Sequence, residues 1–244
     1  MSGPFSIIIP ARYASTRLPG KPLLDIKGKP LLQHVFETAL NTQAKNITIA
    51  TDNEKIASVA ESFGAAVVMT SPEHQSGTDR IAEAVKQLDI DDSEIIVNLQ
   101  GDEYGLPVSL INQVASNLYN NPDKQVATLC EVITSMDDYT DPNIVKVIFD
   151  KNNAALYFSR SPIPANRSGG LAEAVYRHIG LYAYRAGYLQ EFTQLPSCAL
   201  EQAEALEQLR VLYNGGKIHV DIAVDETGIG VDTDEDLELA RAEK

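Results

Sequence analysis

Short apolar runs alternate with amphipathic stretches through the first half of the chain, and no other feature constrains the fold as strongly. Phe5 to Ile9, Asn46 to Ala50, Ala66 to Met69 and Glu94 to Leu99 have the length and continuous hydrophobicity of strands covered on both faces. Between them, Lys29 to Leu40, Glu54 to Phe63 and Asp79 to Leu88 carry apolar residues at helical spacing. Pro30 suits a first helical turn, where no N–H is needed, and Gly64 suits a helix end, where a left-handed backbone is common. Repeated β-α-β units imply an α/β fold with a mostly parallel sheet and helices on both faces. Ligand-binding loops are then expected at the carboxyl ends of the strands.

The second half is less regular. Val126 to Val132, Val145 to Asp150, Ala155 to Ser159 and Arg177 to Tyr184 read as strands, several of them antiparallel. A loop rich in Pro, Asn, Ser and Gly, Ser161 to Gly170, interrupts them. Helical segments follow over Ala186 to Gln194 and Leu200 to Tyr213, then a strand near Ile218 to Val224 and a helix from Thr233. With no internal repeat or linker, the 244 residues are expected to form a single α/β domain with an inserted lobe.

Charge narrows the function. The net charge of -14 excludes a nucleic-acid binder, which needs a basic face for phosphates. Yet residues 1–50 hold six basic residues against Asp25 and Glu37, and five of the six lie between Arg12 and Lys29. Such a cluster on an acidic protein fits a small polyanion. No apolar stretch approaches the ~20 residues needed to span a bilayer, and the start of the chain lacks a basic n-region, so a cytoplasmic protein is expected. Cys130 and Cys198, without a CxxC, read as two reduced thiols.

Three constellations carry chemistry. The first is the loop leaving the first strand, where Arg12, Arg17 and Lys21 are spaced to surround a triphosphate. It is neither a Walker loop nor a dinucleotide fingerprint, because GxxxxGKS/T and GxGxxG are both absent. The second is Asn98-Leu99-Gln100-Gly101-Asp102-Glu103, which puts a carboxylate after a central strand, where Mg²⁺ bridging to phosphate could be held. The third is Gly228 to Asp236, where Thr233 and Asp236 form a capping box and leave Asp232 available to a metal. Ser76-Gly77-Thr78-Asp79-Arg80 opens a helix whose N–H groups favour an anion or a polar base edge, with Thr78 equally suited to a plain N-cap. His178, Glu207 and Gln208 gain no role from spacing alone.

Taken in order, the stretches IPARYASTRLPGKPL, ATDNEKI, MTSPEHQSGTDRIAE, IVNLQGDE, VKVIFD, ALYFSR, RHIGLYAYRAG, LEQLRVL and GIGVDT closely resemble the 3-deoxy-manno-octulosonate (Kdo) cytidylyltransferases. The resemblance covers nearly the whole chain. It implies a nucleotidyltransferase-type, Rossmann-like three-layer sandwich with a dimerisation lobe over roughly residues 125–215, and a homodimer. It implies Mg²⁺-dependent transfer of CMP from CTP to Kdo, with release of pyrophosphate, for lipopolysaccharide or capsule synthesis. On this resemblance Arg12, Arg17 and Lys21 hold the phosphates of CTP. Ser76, Gly77, Thr78 and Gln100 surround cytosine and ribose, with Arg80 close by, and Asp102 and Asp232 bind Mg²⁺. Arg160, His178, Tyr182, Glu207 and Gln208 line the site of the acidic 2-keto sugar, with Arg160 facing its carboxylate. Arg12, Lys21, Asp102 and Asp232 are then the catalytic set.

Two stretches depart from the family pattern. Tyr104-Gly105 stands where Pro and an apolar residue are usual, and Ala165-Asn166-Arg167-Ser168 where an aromatic and Asp-Arg-Asp are common. Both are expected where the sugar or a dimer partner lies. They motivate an alternative, a cytidylyltransferase for a modified sugar acid such as 8-amino-Kdo. A related enzyme using another nucleoside triphosphate and a non-catalytic nucleotide-binding relative are the other readings.

Overall fold

The structure is a computed structural model that describes residues 3–14 and 18–243. The strand β1 (Phe5–Ala11) is buried along its whole length. A small ribbon of β2 (Asp25–Ile26) and β3 (Lys29–Pro30) follows it. The main sheet then gains β4 (Asn46–Thr51), β5 (Ala66–Met69) and β6 (Ile95–Asn98). β1 lies between β4 and β6, parallel to both, and β5 extends the sheet beyond β4. A second ribbon begins with β7 (Glu103–Tyr104). The rest of the main sheet is β8 (Val126–Val132), β9 (Lys146–Phe149), β10 (Ala155–Ser159), β11 (Tyr176–Arg185) and β12 (Ile218–Ile222). β13 (Ile229–Gly230) closes the β7 ribbon.

β11 is the hinge of this architecture. It runs antiparallel to β6 and β8, which places the second-half strands beside the parallel half. Its first residues also pair with β9, which carries β10. β12 runs parallel to β8. One long antiparallel strand thus joins the second-half strands to the parallel half, so that a single nine-stranded sheet results.

Nine α-helices are found among the described residues: α1 (Leu31–Leu40), α2 (Glu54–Ser62), α3 (Gly77–Gln87), α4 (Val108–Asn120), α5 (Met136–Thr140), α6 (Ala186–Phe192), α7 (Ala199–Glu204), α8 (Gln208–Tyr213) and α9 (Asp234–Ala242). Successive side chains of a strand point to opposite faces. Accordingly Phe5, Ile7, Ile9 and Ala11 enter one core with α1, α2, α4 and α9, whereas Ile8 enters the other with residues of α3, α6 and α8. The three-layer α/β expectation holds. Pro30 sits at the N-cap of α1, and Gly64 follows α2 with φ +87.

Some expectations need correction. The helix expected over Leu200 to Tyr213 is two helices, broken where Ala205 takes a left-handed φ of +51. The break lets Leu206 reach the core and turns Arg210 back onto the Glu201 carboxylate at 2.5 Å. α3 starts at Gly77, and its cap is Ser76, whose oxygen accepts from Asp79 N. Thr78 is inside the first turn and is not the cap. α4, absent from the expected elements, buries Leu110, Ile111, Val114, Ala115 and Leu118. Leu110 is fully enclosed, so Leu110→Ala is expected to lower unfolding free energy by about 2–5 kcal/mol in denaturant titrations. A loss below about 1 kcal/mol would contradict this packing.

Candidate active site

The carboxyl ends of β1 and β6 open onto a cleft of about 270 Å³ lined by Arg12, Lys21, Ser76, Gly77, Gln100, Asp102 and Asp232, among others. Gly101 makes the approach of the two strand ends possible: a Cβ there would lie 2.9 Å from the carbonyl oxygen of Pro10. Asp102 is therefore delivered directly beside the opening loop.

Asp232, 130 positions later in the chain, is brought in by backbone pairing. Gly230 pairs with Glu103 in the β7–β13 ribbon, and Val231 N donates to Asp102 O at 3.0 Å. Thr233 and Asp236 form the expected capping box, and Asp236 also accepts from Asp232 N at 3.0 Å. The start of α9 thereby fixes the backbone of Asp232.

Lys21 closes the arrangement. Its Nζ lies 2.5 Å from Asp102 Oδ2 and 2.8 Å from Asp232 Oδ1. Burial opposes its charge, but the two carboxylates outweigh burial and hold the ammonium's pKa above its ordinary value. Burial, followed by repulsion from Asp102 and Asp232, pushes the Glu103 carboxyl up to about 7. Two carboxylates from distant segments thus share one cation, in an oxygen-only donor set. Arg12 is exposed at the cleft wall, while Arg17 lies outside the described residues.

Arg80 also lines the cleft, but its guanidinium is buried and committed to Thr70 and to Asp52, 2.8 Å away. It braces the cleft from behind. His74, to which no motif assigns a role, lines the cleft and pairs with Glu83 at 2.5 Å. Its one signal in the sequence is its place in the stretch preceding Ser76.

A smaller pocket of about 80 Å³ adjoins this cleft, and Gln100 lines both. Tyr182, Glu207 and Gln208 line the smaller pocket, together with Thr78, which donates to Glu207 Oε2 at 2.7 Å. Thr78 thus belongs to this second pocket. Burial raises the pKa of Glu207 despite that bond. His178 lies next to Tyr182, ring centroids 5.2 Å apart, and meets Phe158 edge-on at 5.1 Å. Arg160 lines neither pocket. Its Nε donates to Glu204 O at 2.7 Å and its Nη1 to Pro142 O at 2.9 Å.

Burial pushes the His178 imidazole down to about 3. Folding lowers this pKa, so the unfolded chain takes up the proton first. The ring's contribution to stability is full above about pH 6.5 and is lost as pH falls toward about 3. His178→Asn should therefore show a smaller fall in Tm between about pH 6.5 and 4 than the parent chain. Parallel falls would contradict burial of a neutral ring.

The two departures do not reach either pocket. The Tyr104 ring turns toward α1, edge-on to His34 at 5.2 Å, and its hydroxyl accepts from Lys27 at 3.1 Å. Ala165, Arg167 and Ser168 are exposed, and none of residues 165–168 lines the cleft or the small pocket. Tyr104 therefore faces α1 and lines neither pocket.

Known proteins resemble this chain over its whole length. The family model described as Cytidylyltransferase matches residues 6–218. The 3-deoxy-manno-octulosonate cytidylyltransferase of Hahella chejuensis is 52% identical, with 98% of this chain and 96% of the relative covered. Its namesake from Haemophilus influenzae is 53% identical, with 98% and 97% covered. A solved structure of CMP:2-keto-3-deoxy-manno-octonic acid synthetase complexed with CTP superposes with a TM-score of 0.91 at 44% identity, covering 98% of this chain and 97% of the other. The chain therefore belongs to the cytidylyltransferases, among the nucleotidyltransferase enzymes named for 3-deoxy-manno-octulosonate.

Proposed function

We propose that the chain transfers CMP from CTP to the anomeric hydroxyl of Kdo and releases pyrophosphate. The observation that carries this reading is the Lys21 ammonium held between Asp102 and Asp232 on the wall of the cleft. The similar protein solved with CTP supports a nucleotide in that cleft, and the names of the relatives support the sugar.

Mg²⁺ suits the carboxylate pair, because that ion is usually held by one or two carboxylates together with substrate phosphates. A stand-in cation already bridges the pair. Bound there, Mg²⁺ would neutralise phosphate charge and make the sugar hydroxyl more acidic.

The chain's own residues do the rest. Arg12, Lys21 and Arg17 hold the triphosphate, and Ser76, Gly77 and Gln100 of the same cleft surround cytosine and ribose. Tyr182, Glu207 and Gln208 hold the sugar next to Gln100, and His178, in ring contact with Tyr182, joins them. The anomeric hydroxyl gives its proton to solvent and its oxygen bonds to the α-phosphorus as the α–β bridging P–O bond breaks, so that negative charge moves onto pyrophosphate. Lys21 and the arginines stabilise that charge where it develops.

In this reading the protein works in the cytoplasm as a homodimer through the lobe of roughly residues 125–215, supplying lipopolysaccharide or capsule synthesis. No helix among the described residues is long and apolar enough to cross a membrane. Neither of the two departures that motivate the modified-sugar alternative lines either pocket. Pyrophosphate release is to be measured over a panel of 2-keto sugar acids, including Kdo and 8-amino-Kdo, with CTP and Mg²⁺. Kdo is expected to be preferred; a clear preference for the amino analogue would overturn the sugar assignment.

A further inference from the structure

The pairing of β8 and β11 slips between Ile179 and Tyr182, so that Gly180 and Leu181 bulge out of register opposite Leu129 and Thr128. Thr128, fully buried, fills the slip. Its Oγ1 lies 3.0 Å from Ile179 O, 2.9 Å from Leu181 O and 2.9 Å from His178 Nε2. Carbonyl oxygens only accept, and a hydroxyl has one proton to give. If Thr128 gave it to His178, both carbonyls would face the hydroxyl's lone pairs with nothing between. The better arrangement has Thr128 donate to one carbonyl and accept from an Nε2–H, which leaves only one carbonyl facing a lone pair. The neutral imidazole then keeps its lone pair on Nδ1.

We propose that Thr128 is a positioning residue for the sugar site: it holds the β11 bulge and His178 Nε2–H together, so that His178 offers Nδ1 as an acceptor to a hydroxyl of the bound sugar acid. This rests on the sugar pocket assigned above. Phe158 and Tyr182 flank the same ring and limit its rotation, and the Thr128 contact favours the Nε2–H tautomer. The depressed basicity of His178 agrees with a ring that stays neutral as sugar binds.

Nitrogen-15 NMR of the wild-type imidazole tests the assignment without any substrate: the proton is expected on Nε2, and a proton on Nδ1 overturns the proposal. Thr128→Val keeps the volume and deletes the hydroxyl. It should raise KM for Kdo about tenfold while KM for CTP stays unchanged, and Thr128→Ser should restore the parent value. An unchanged KM for Kdo, an equal rise for CTP, or no restoration by serine overturns the positioning role. If the wild-type chain turns over no 2-keto sugar acid, the underlying reading fails instead, and the NMR result alone decides the tautomer.

Discussion

Asp102→Asn is expected to cut pyrophosphate release from CTP by about 10²–10³-fold or more. Asparagine has the shape of aspartate and lacks only its charge. Nothing in the backbone needs to move, because the Gly101 approach to Pro10 and the Val231 N to Asp102 O bond do not involve the side chain. The amide oxygen can still accept from Lys21, which lies 2.5 Å from the carboxylate in the parent chain. What disappears is half of the anionic pair that would hold Mg²⁺ against the phosphates. Turnover should collapse while Tm stays near the parent value. Near-normal turnover would contradict the metal assignment, and unfolding would contradict the account of how Asp102 is placed.

Lys21→Met should have a comparable effect on rate with the opposite response to metal. The ammonium neutralises Asp102 and Asp232 in the free protein and, in the proposed reaction, the phosphates. Methionine fills the space and leaves the carboxylates facing each other, next to Glu103. Because these carboxylates are partly exposed, with 30% and 49% of the side chains accessible, the stability loss should be only about 1–2 kcal/mol at low salt. Turnover should fall about 10²–10³-fold, as for loss of one charge-stabilising contact. Without nucleotide, Mg²⁺ should raise the Tm of the variant more than that of the parent, since the ammonium no longer competes for the same oxygens. Equal Mg²⁺ shifts in the two proteins would contradict a shared site.

Much of the strand framework is legible in the sequence. Ala66–Met69, Val126–Val132 and Ala155–Ser159 match the expected runs residue for residue. Short apolar runs bounded by turns declare strands both in the interior, as in Val126–Val132, and at the sheet ends, where Ala66–Met69 has no buried residue. The order of strands is different. That β11 runs antiparallel among parallel neighbours depends on partners distant in sequence, which periodicity does not encode. α4 has a readable apolar face in Leu110, Ile111, Val114, Ala115 and Leu118, yet it starts just past β7, capped by Pro107, a residue that suits a turn equally well.

The site shows the same division. Residue type and position mark Lys21, Asp102 and Asp232 as an anion grip facing two carboxylates, and the structure brings all three within hydrogen-bonding distance. Resemblance supplies Tyr182, Glu207 and Gln208, which do line one pocket. Arg160 does not, because the carbonyls of Glu204 and Pro142 hold its guanidinium, and no local pattern announces carbonyl partners. Thr128 carries no motif at all: its importance arises only where a bulge places two carbonyls and an imidazole around one hydroxyl.

The central claim is that the cleft holds CTP and hands its CMP to a sugar acid. Phosphorus-31 NMR of the purified full chain with Kdo, Mg²⁺ and each of the four nucleoside triphosphates tests it most directly. With CTP, one pyrophosphate is expected for every sugar phosphodiester formed, and negligible product with ATP, GTP or UTP. CTP that persists unchanged in the presence of Kdo and Mg²⁺, or equal product from all four nucleotides, would contradict the claim.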